Sequence, residues 1–309
     1  MAETPHELDS SVRLAAFAFL EEKLLEGSEE TLPFDLLRRG FTYRDRRVPL
    51  LGPQGIFKPA VLPEIPLTIT TAPPKEGKKA PYEDTIGPDG SLLYRYRGTD
   101  PSHHENRGLR KAMRQAVPLI YLQGIVPGRY LPAWPAYVVG DGPGHLTFHI
   151  SIDDHALMPA DELIHGEAAE ARRAYVTVLV RQRIHQAKFR ERVLRAYREC
   201  CAICQLRHRE LLDATHILPD KHPQGEPVIS NGLSLCKLHH AAYDRHILGI
   251  RPDLRIDVRL DILEEIDGPM LQHGLQGFQG RRLVTPHRAG DRPNPDFLAM
   301  RYEQFRQAS

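Results

Sequence analysis

The chain has 309 residues but only 4 cysteines and one tryptophan, and its longest apolar run, Leu14 to Leu20, is far too short for a membrane span. All four cysteines fall between Cys200 and Cys236. That clustering excludes a disulfide framework spread through a secreted domain and points instead to metal ligation. The N-terminus lacks the basic and apolar regions of a signal peptide, so a soluble, cytoplasmic protein with no membrane contact is expected. Charge of one sign is missing too: 41 basic residues stand against 40 acidic ones, and nothing in the total selects a polyanion as partner. Internal repeats and low-complexity segments are absent. With 41% hydrophobic residues the chain can bury one core or two, and its length favours two domains.

Local charge and spacing say more than the totals. From Ala171 to Arg209 there are 11 Lys and Arg against 2 acids, Glu191 and Glu199. Such a run fits a surface that neutralises phosphates, although a solvated helix face has the same composition. It leads into Cys201-Ala-Ile-Cys204, which is answered after 31 residues by Cys236-Lys-Leu-His239. Each pair has knuckle spacing, and together Cys201, Cys204, Cys236 and His239 make a tetrahedral set for a structural Zn²⁺. Cys200 is one thiol too many and is read as buried. Between the pairs lie Asp213, His216 and Asn231, and His240 follows directly after a zinc ligand.

The organisation around this bracket reads in three parts. Val12, Phe17, Leu20 and Leu24 follow the cap candidates Asp9, Ser10 and Ser11, predicting an amphipathic helix over residues 12–25. From about Gly40 to Asp153 short β-prone runs (Pro66–Thr71, Leu92–Tyr96, Pro118–Leu122, Pro135–Val139) are punctuated by Gly and Pro, as in a small barrel or sandwich. A loop is expected over Thr71–Lys79 and a polar linker over Asp154–Glu170. The β-branched run Tyr175–Val180 predicts a strand, and a basic helix should follow from about His185 to Tyr197. Further on, alternation from Leu254 to Ile262 predicts a half-buried strand, and Asn294-Pro295 should cap a last helix.

The stretch from about residue 199 to 250 resembles the HNH, or ββα-metal, endonuclease family in its zinc-knuckle form. The matching residues are Cys201 and Cys204, Ala214-Thr-His216-Ile217 with Pro219, Asn231-Gly232-Leu-Ser-Leu-Cys236, and His239-His240 with Asp244. The resemblance implies His216 as general base toward the attacking water, Asn231 as an orienting residue, and His240 as ligand of one catalytic divalent cation, Mg²⁺ or Mn²⁺. Imidazole suits the base role because its ordinary pKa lies near operating pH. Many members carry an aspartate directly before the base, where this chain has Thr215. Asp213 is therefore the expected second ligand, with Asp244 and His246 in reserve. On a strand, residues 213 and 215 share one side, opposite 216.

A second, looser resemblance covers residues 40–150. Pro81-Tyr82-Glu83-Asp84, Gly90, Tyr94-Arg-Tyr96-Arg-Gly98-Thr-Asp100, Asn106-Arg107-Gly-Leu109, Pro118-Leu-Ile-Tyr and Gly128-Arg-Tyr130 follow one another as in the SRA domain of the PUA-like superfamily. It implies a reader that flips a modified cytosine into a pocket. Tyr94 and Tyr96 could stack on the base and Asp100 could read its edge; alternate tyrosines are equally ordinary barrel packing, and Asp100-Pro101 a simple turn.

The expectation is an α+β protein: an SRA/PUA-like β-barrel with flanking helices at 1–155, a basic linker with strand and helix at 156–198, and an HNH domain with structural zinc at 199–309. The function that follows is a modification-dependent, type IV-like restriction endonuclease acting on double-stranded DNA that carries 5-methylcytosine or 5-hydroxymethylcytosine. One HNH site nicks one strand, so a homodimer is expected. The alternatives are an HNH nuclease that reads a phosphorothioate backbone or plain sequence, and a zinc-dependent DNA-binding protein that cuts nothing.

Overall fold

The computed structural model describes residues 4–27, 29–73, 91–152, 167–266 and 268–308. The expected loop at Thr71–Lys79, the linker at Asp154–Glu170 and the segment Pro81–Asp84 fall wholly or mostly outside them. The chain divides into two compact units, Met1–Ala187 and Lys188–Ser309. Helices and strands are mixed in both. The elements of the first are α1 (Pro5–Glu26), β1 (Leu32–Pro33), α2 (Phe34–Arg39), β2 (Phe41–Tyr43), β3 (Arg46–Val48), β4 (Ile56–Phe57), β5 (Thr68–Thr71), β6 (Leu92–Arg95), α3 (His104–Arg114), β7 (Leu119–Val126), β8 (Arg129–Gly142) and β9 (Thr147–Ile152). Then α4 (Glu167–Ala196) carries the chain into the second unit, which holds β10 (Leu212–His216), β11 (Gly232–Cys236), α5 (Lys237–Asp244), β12 (Leu248–Ile250), β13 (Ile256–Val258), α6 (Leu260–Glu264), α7 (Pro269–Gly274) and α8 (Pro295–Gln307).

In the first unit, strands pair in the order β4-β5-β7-β8-β9-β6, with β1 added to β8. All these pairs are antiparallel except β5 with β7. The sheet curls into a half-barrel: the Tyr94 hydroxyl of β6 donates to the Thr70 carbonyl of β5, 3.3 Å away, although the two strands are not neighbours. Strand β7 is buried along its whole length because both its faces are covered. Leu119 and Tyr121 point into the core inside the curl, and Ile120 and Leu122 into a second core shared with Val12, Ala16 and Leu20 of α1, as the two-residue period of a strand requires.

Three expectations are corrected here. Helix α1 begins at Pro5, not after Ser11, because Thr4 and Glu7 close a capping box: Glu7 N–H donates to Thr4 Oγ1 (3.2 Å) and Thr4 N–H to Glu7 Oε2 (2.8 Å). Asp9 sits inside the helix, where it pairs with the buried Arg13 at 2.6 Å. The run Tyr175–Val180 is helix, not strand. Burial explains the outcome: Val180, Ile184 and Ala187 recur at helical spacing in the first unit's core, and packing of such a stripe outweighs the weak β preference of branched residues. The strand expected over Leu254–Ile262 is only Ile256–Val258 long. Exposed Leu260 opens α6 instead.

The remaining expectations for regular elements agree with the structure, except that the basic helix expected from about His185 already begins at Glu167. The runs at Pro66–Thr71 and Leu92–Tyr96 contain β5 and β6, and those at Pro118–Leu122 and Pro135–Val139 cover parts of β7 and β8. Asn294 caps α8, its side chain accepting from the Asp296 N–H at 2.8 Å. No helix among the described residues is long and apolar enough to cross a membrane.

Candidate active site

The second unit is built around a short hairpin and the helix that follows it. Strands β10 and β11 pair antiparallel from Leu212↔Cys236 to His216↔Gly232, and α5 starts at the next residue, Lys237. The hairpin is held to α4 by Phe189, Val193, Leu194 and Tyr197, which share its core. Gly232 is required by that contact, since a Cβ there would stand 2.4 Å from Val193 Cγ2 and 3.0 Å from the Phe189 ring. The close approach also lets Phe189 stack on His216, ring centroids 3.9 Å apart at 11°.

The four predicted zinc ligands converge. The ligand atoms of Cys201, Cys204, Cys236 and His239 all lie within 4.8 Å of one another. Cys204 and Cys236 sulfurs are 3.9 Å apart, and His239 Nδ1 is 3.6 Å from Cys201 Sγ and 3.1 Å from Cys236 Sγ. A tetrahedral zinc with its usual bond lengths separates two sulfurs by about 3.8 Å and sulfur from nitrogen by about 3.6 Å, so the set fits that ion. His239 Nε2 lies 2.8 Å from the Gly274 carbonyl, which accepts the ring's N–H and leaves Nδ1 for the metal side, toward the sulfurs. Buried Cys200 stands outside the cluster, its sulfur 3.7 Å from the Cys201 carbonyl. Backbone bonds from Ala202 N–H to Ser234 O (2.7 Å) and from Val284 N–H to Ala202 O (2.9 Å) tie the knuckle to β11 and to the C-terminal segment.

Asn231 is fully buried and works on the loop that follows His216. Its Oδ1 accepts from Leu218 N–H (2.9 Å), while Nδ2 donates to the carbonyls of Leu218 (3.0 Å) and Glu226 (3.1 Å). Its own carbonyl accepts from Ile217 N–H at 2.9 Å. The residue after the candidate base is thereby fixed to the start of β11. His216 Nε2 lies 2.9 Å from Asp220 Oδ1, but off the line of a hydrogen bond, and it has no hydrogen-bond partner among the described residues. Burial pushes this imidazole below its ordinary pKa, against the opposing pull of the Asp220 charge. It is therefore neutral, with a lone pair to offer, at pH 7.

Asp213 and His240 meet across β10 and α5: Asp213 Oδ2 is 3.2 Å from His240 Nδ1, and the other ring nitrogen is 3.2 Å from Asp244 Oδ2. Lys237 Nζ reaches both oxygens of Asp213, at 2.8 and 2.7 Å. Burial resists ionisation of Asp213, but hydrogen bonds from His240 and Lys237 outweigh it and hold the carboxyl at about 2. His240 is raised, first by its bond to Asp213 and then, against burial, by the Asp244 charge. A carboxylate and an imidazole suit a small divalent cation. Adjacent donors of an octahedral ion at about 2.1 Å stand about 3.0 Å apart, close to the Asp213–His240 separation.

The residues 201–251 match the family model described as HNH endonuclease. The segment is an HNH endonuclease domain. Such domains are metal-dependent nucleases, which implies DNA as a partner. A solved structure titled "Modification dependent TagI restriction endonuclease" is similar at 15% identity over 78% of this chain and 82% of that one, with a TM-score of 0.29, a score that establishes no shared fold. Among curated proteins none matches.

The three residues expected to bind a base are not brought together as an open pocket. Tyr94 and Tyr96 are 8% and 6% exposed and belong to the core inside the curl. Tyr96 stacks on Phe148 at 4.4 Å, and its hydroxyl is shared by Asp141 and Arg110. Asp100 is exposed in a turn, where Oδ1 accepts from Ser102 N–H at 2.8 Å and the carbonyl from Asn106 Nδ2 at 2.9 Å. Core packing accounts for the two tyrosines and a turn for Asp100. Sequence reasoning overlooked Phe189, Asp220 and Lys237. Asp220 stands one helical turn's spacing after His216 and Lys237 directly after a zinc ligand, which were usable signals; nothing local marked Phe189.

Proposed function

We propose that the protein is a modification-dependent DNA endonuclease of the type IV-like kind, reading 5-methylcytosine or 5-hydroxymethylcytosine with its first unit and hydrolysing phosphodiester bonds with its second. The observation that carries the nuclease part is one hairpin and helix that carry both His216, half-buried and neutral, and an Asp213–His240 pair suited to a divalent ion. His216 takes the proton of the attacking water, and Phe189 and the Asn231-pinned loop hold the ring in place. Asp213 and His240 would hold Mg²⁺ or Mn²⁺, which would supply charge stabilisation for the phosphate and the leaving 3′ oxygen. Cys201, Cys204, Cys236 and His239 hold a structural Zn²⁺ that fixes the relation of β10, β11 and α5.

The reader part is supported by the order of motifs in residues 40–150, which resembles an SRA domain, and by a strand-rich unit to carry them. Tyr94 and Tyr96 are not offered as its stacking faces, since both are packed in the core. Two copies would be needed to cut both strands, so a homodimer on DNA is part of the proposal. The test is cleavage of otherwise identical duplexes with unmodified, methylated or hydroxymethylated cytosines, in Mg²⁺ or Mn²⁺, with His216→Ala as control. Cutting confined to modified duplexes supports the whole reading. Equal cutting of all three leaves the nuclease and removes the reader.

A further inference from the structure

Resting on that assignment of the catalytic metal, the lysine that opens α5 acquires a role of its own. Lys237 is 58% exposed and free to swing, yet its ammonium is set symmetrically on Asp213, 2.8 and 2.7 Å from the two oxygens. Those are the oxygens that a divalent ion shared with His240 would need, because His240 Nδ1 approaches the same carboxylate from α5 at 3.2 Å. Two cations cannot occupy one carboxylate edge without strong repulsion. Asp244 lies on the opposite edge of the His240 ring, 3.2 Å from Nε2, and so leaves Nδ1 and Asp213 as the pair in contention.

We propose that Lys237 is a built-in competitor of the catalytic divalent cation: it occupies both oxygens of Asp213 and must be displaced from that carboxylate for the ion to bind. The displaced ammonium remains at the mouth of the site, where a phosphate backbone offers it new partners. Metal affinity is thus set by an exchange of cations on Asp213 rather than by the ligands alone. The exchange needs no rearrangement of β10 or β11, since only an exposed side chain at a helix start has to turn.

The test is Mn²⁺ binding to the full-length, zinc-loaded protein without DNA, followed by electron paramagnetic resonance, for wild type, Lys237→Met, Lys237→Arg and His240→Ala. Cysteine-rich sites prefer zinc to manganese, so the knuckle does not take up the probe. Lys237→Met should bind Mn²⁺ more tightly by about threefold to fivefold, the scale of a partly exposed ion pair. Lys237→Arg should stay near wild type and His240→Ala should lose the site. Unchanged or weaker binding by Lys237→Met, with binding still lost in His240→Ala, overturns the competitor while leaving the metal assignment intact. Wild-type binding by His240→Ala shows instead that the ion is held elsewhere, and the competitor falls with it.

Discussion

Replacing Asn231 should separate the structural demands of the site from its chemistry. The side chain is fully buried and makes three hydrogen bonds, one accepted and two donated, all to backbone on the stretch that runs on from His216. Asn231→Ala leaves Leu218 N–H, Leu218 O and Glu226 O without these partners. At roughly 1 kcal/mol per lost bond, with a further penalty where the group stays dry, the cost is about 3–4 kcal/mol. At about 4 °C per kcal/mol for a unit of this size, the second unit should melt about 12 °C lower. Asn231→Asp is the sharper variant because its shape is unchanged. It keeps the acceptor for Leu218 N–H but sets an oxygen against two carbonyls, so it should be at least as damaging as alanine. Calorimetry of both variants, with nicking measured well below their melting temperatures, checks this. An Asn231→Asp protein that melts and cuts like wild type would refute the hydrogen-bond account of this residue.

Other outcomes follow from the same geometry. Burial under Phe189 lowers the His216 pKa, so the active neutral base persists below pH 6.5 and cleavage should fall only at more acid pH. Phe189→Ala hydrates the ring and should move this acid limb upward, toward the ordinary value, whereas Asp220→Asn removes a charge that favours the imidazolium and should move it further down. The pH profile of kcat/KM reads both, and shifts of the same sign would contradict the assignment. Metal analysis should find one zinc per chain in wild type and none in Cys204→Ser. Since structural zinc contributes on the order of 10 kcal/mol in small domains, comparable to a whole domain's stability, chelation should abolish the cooperative melting of the second unit. Unaltered melting after zinc removal would show that the knuckle is not structural.

The chemistry of the second unit was legible because ligand spacing survives in a linear sequence. Cys201 to His239 could be paired on paper, and Asp213, His216, Asn231 and His240 stood between or beside them. What the sequence could not display is contact across elements. Phe189 lies 27 residues before His216 on a helix whose basic composition suggested only a charged surface, yet it sets the ring's burial. The strand expected at Tyr175–Val180 failed for the same reason, since the stripe formed by Val180, Ile184 and Ala187 matters only once there is a core to meet it. Tyr94 and Tyr96 show the converse. Aromatic alternation marks a strand face equally well whether that face meets a ligand or the core, and here it meets Phe148 and the interior of the curl.

The claim on which the rest depends is that His216 is the base of a metal-dependent nuclease. Single-turnover nicking of a duplex in Mg²⁺ by His216→Ala, checked beforehand for wild-type zinc content, Mn²⁺ binding and DNA binding, tests it directly. The account predicts a rate lowered by a factor on the order of 10²–10⁴ with binding intact, as expected when a general base is removed. Nicking at the wild-type rate by that variant would contradict it.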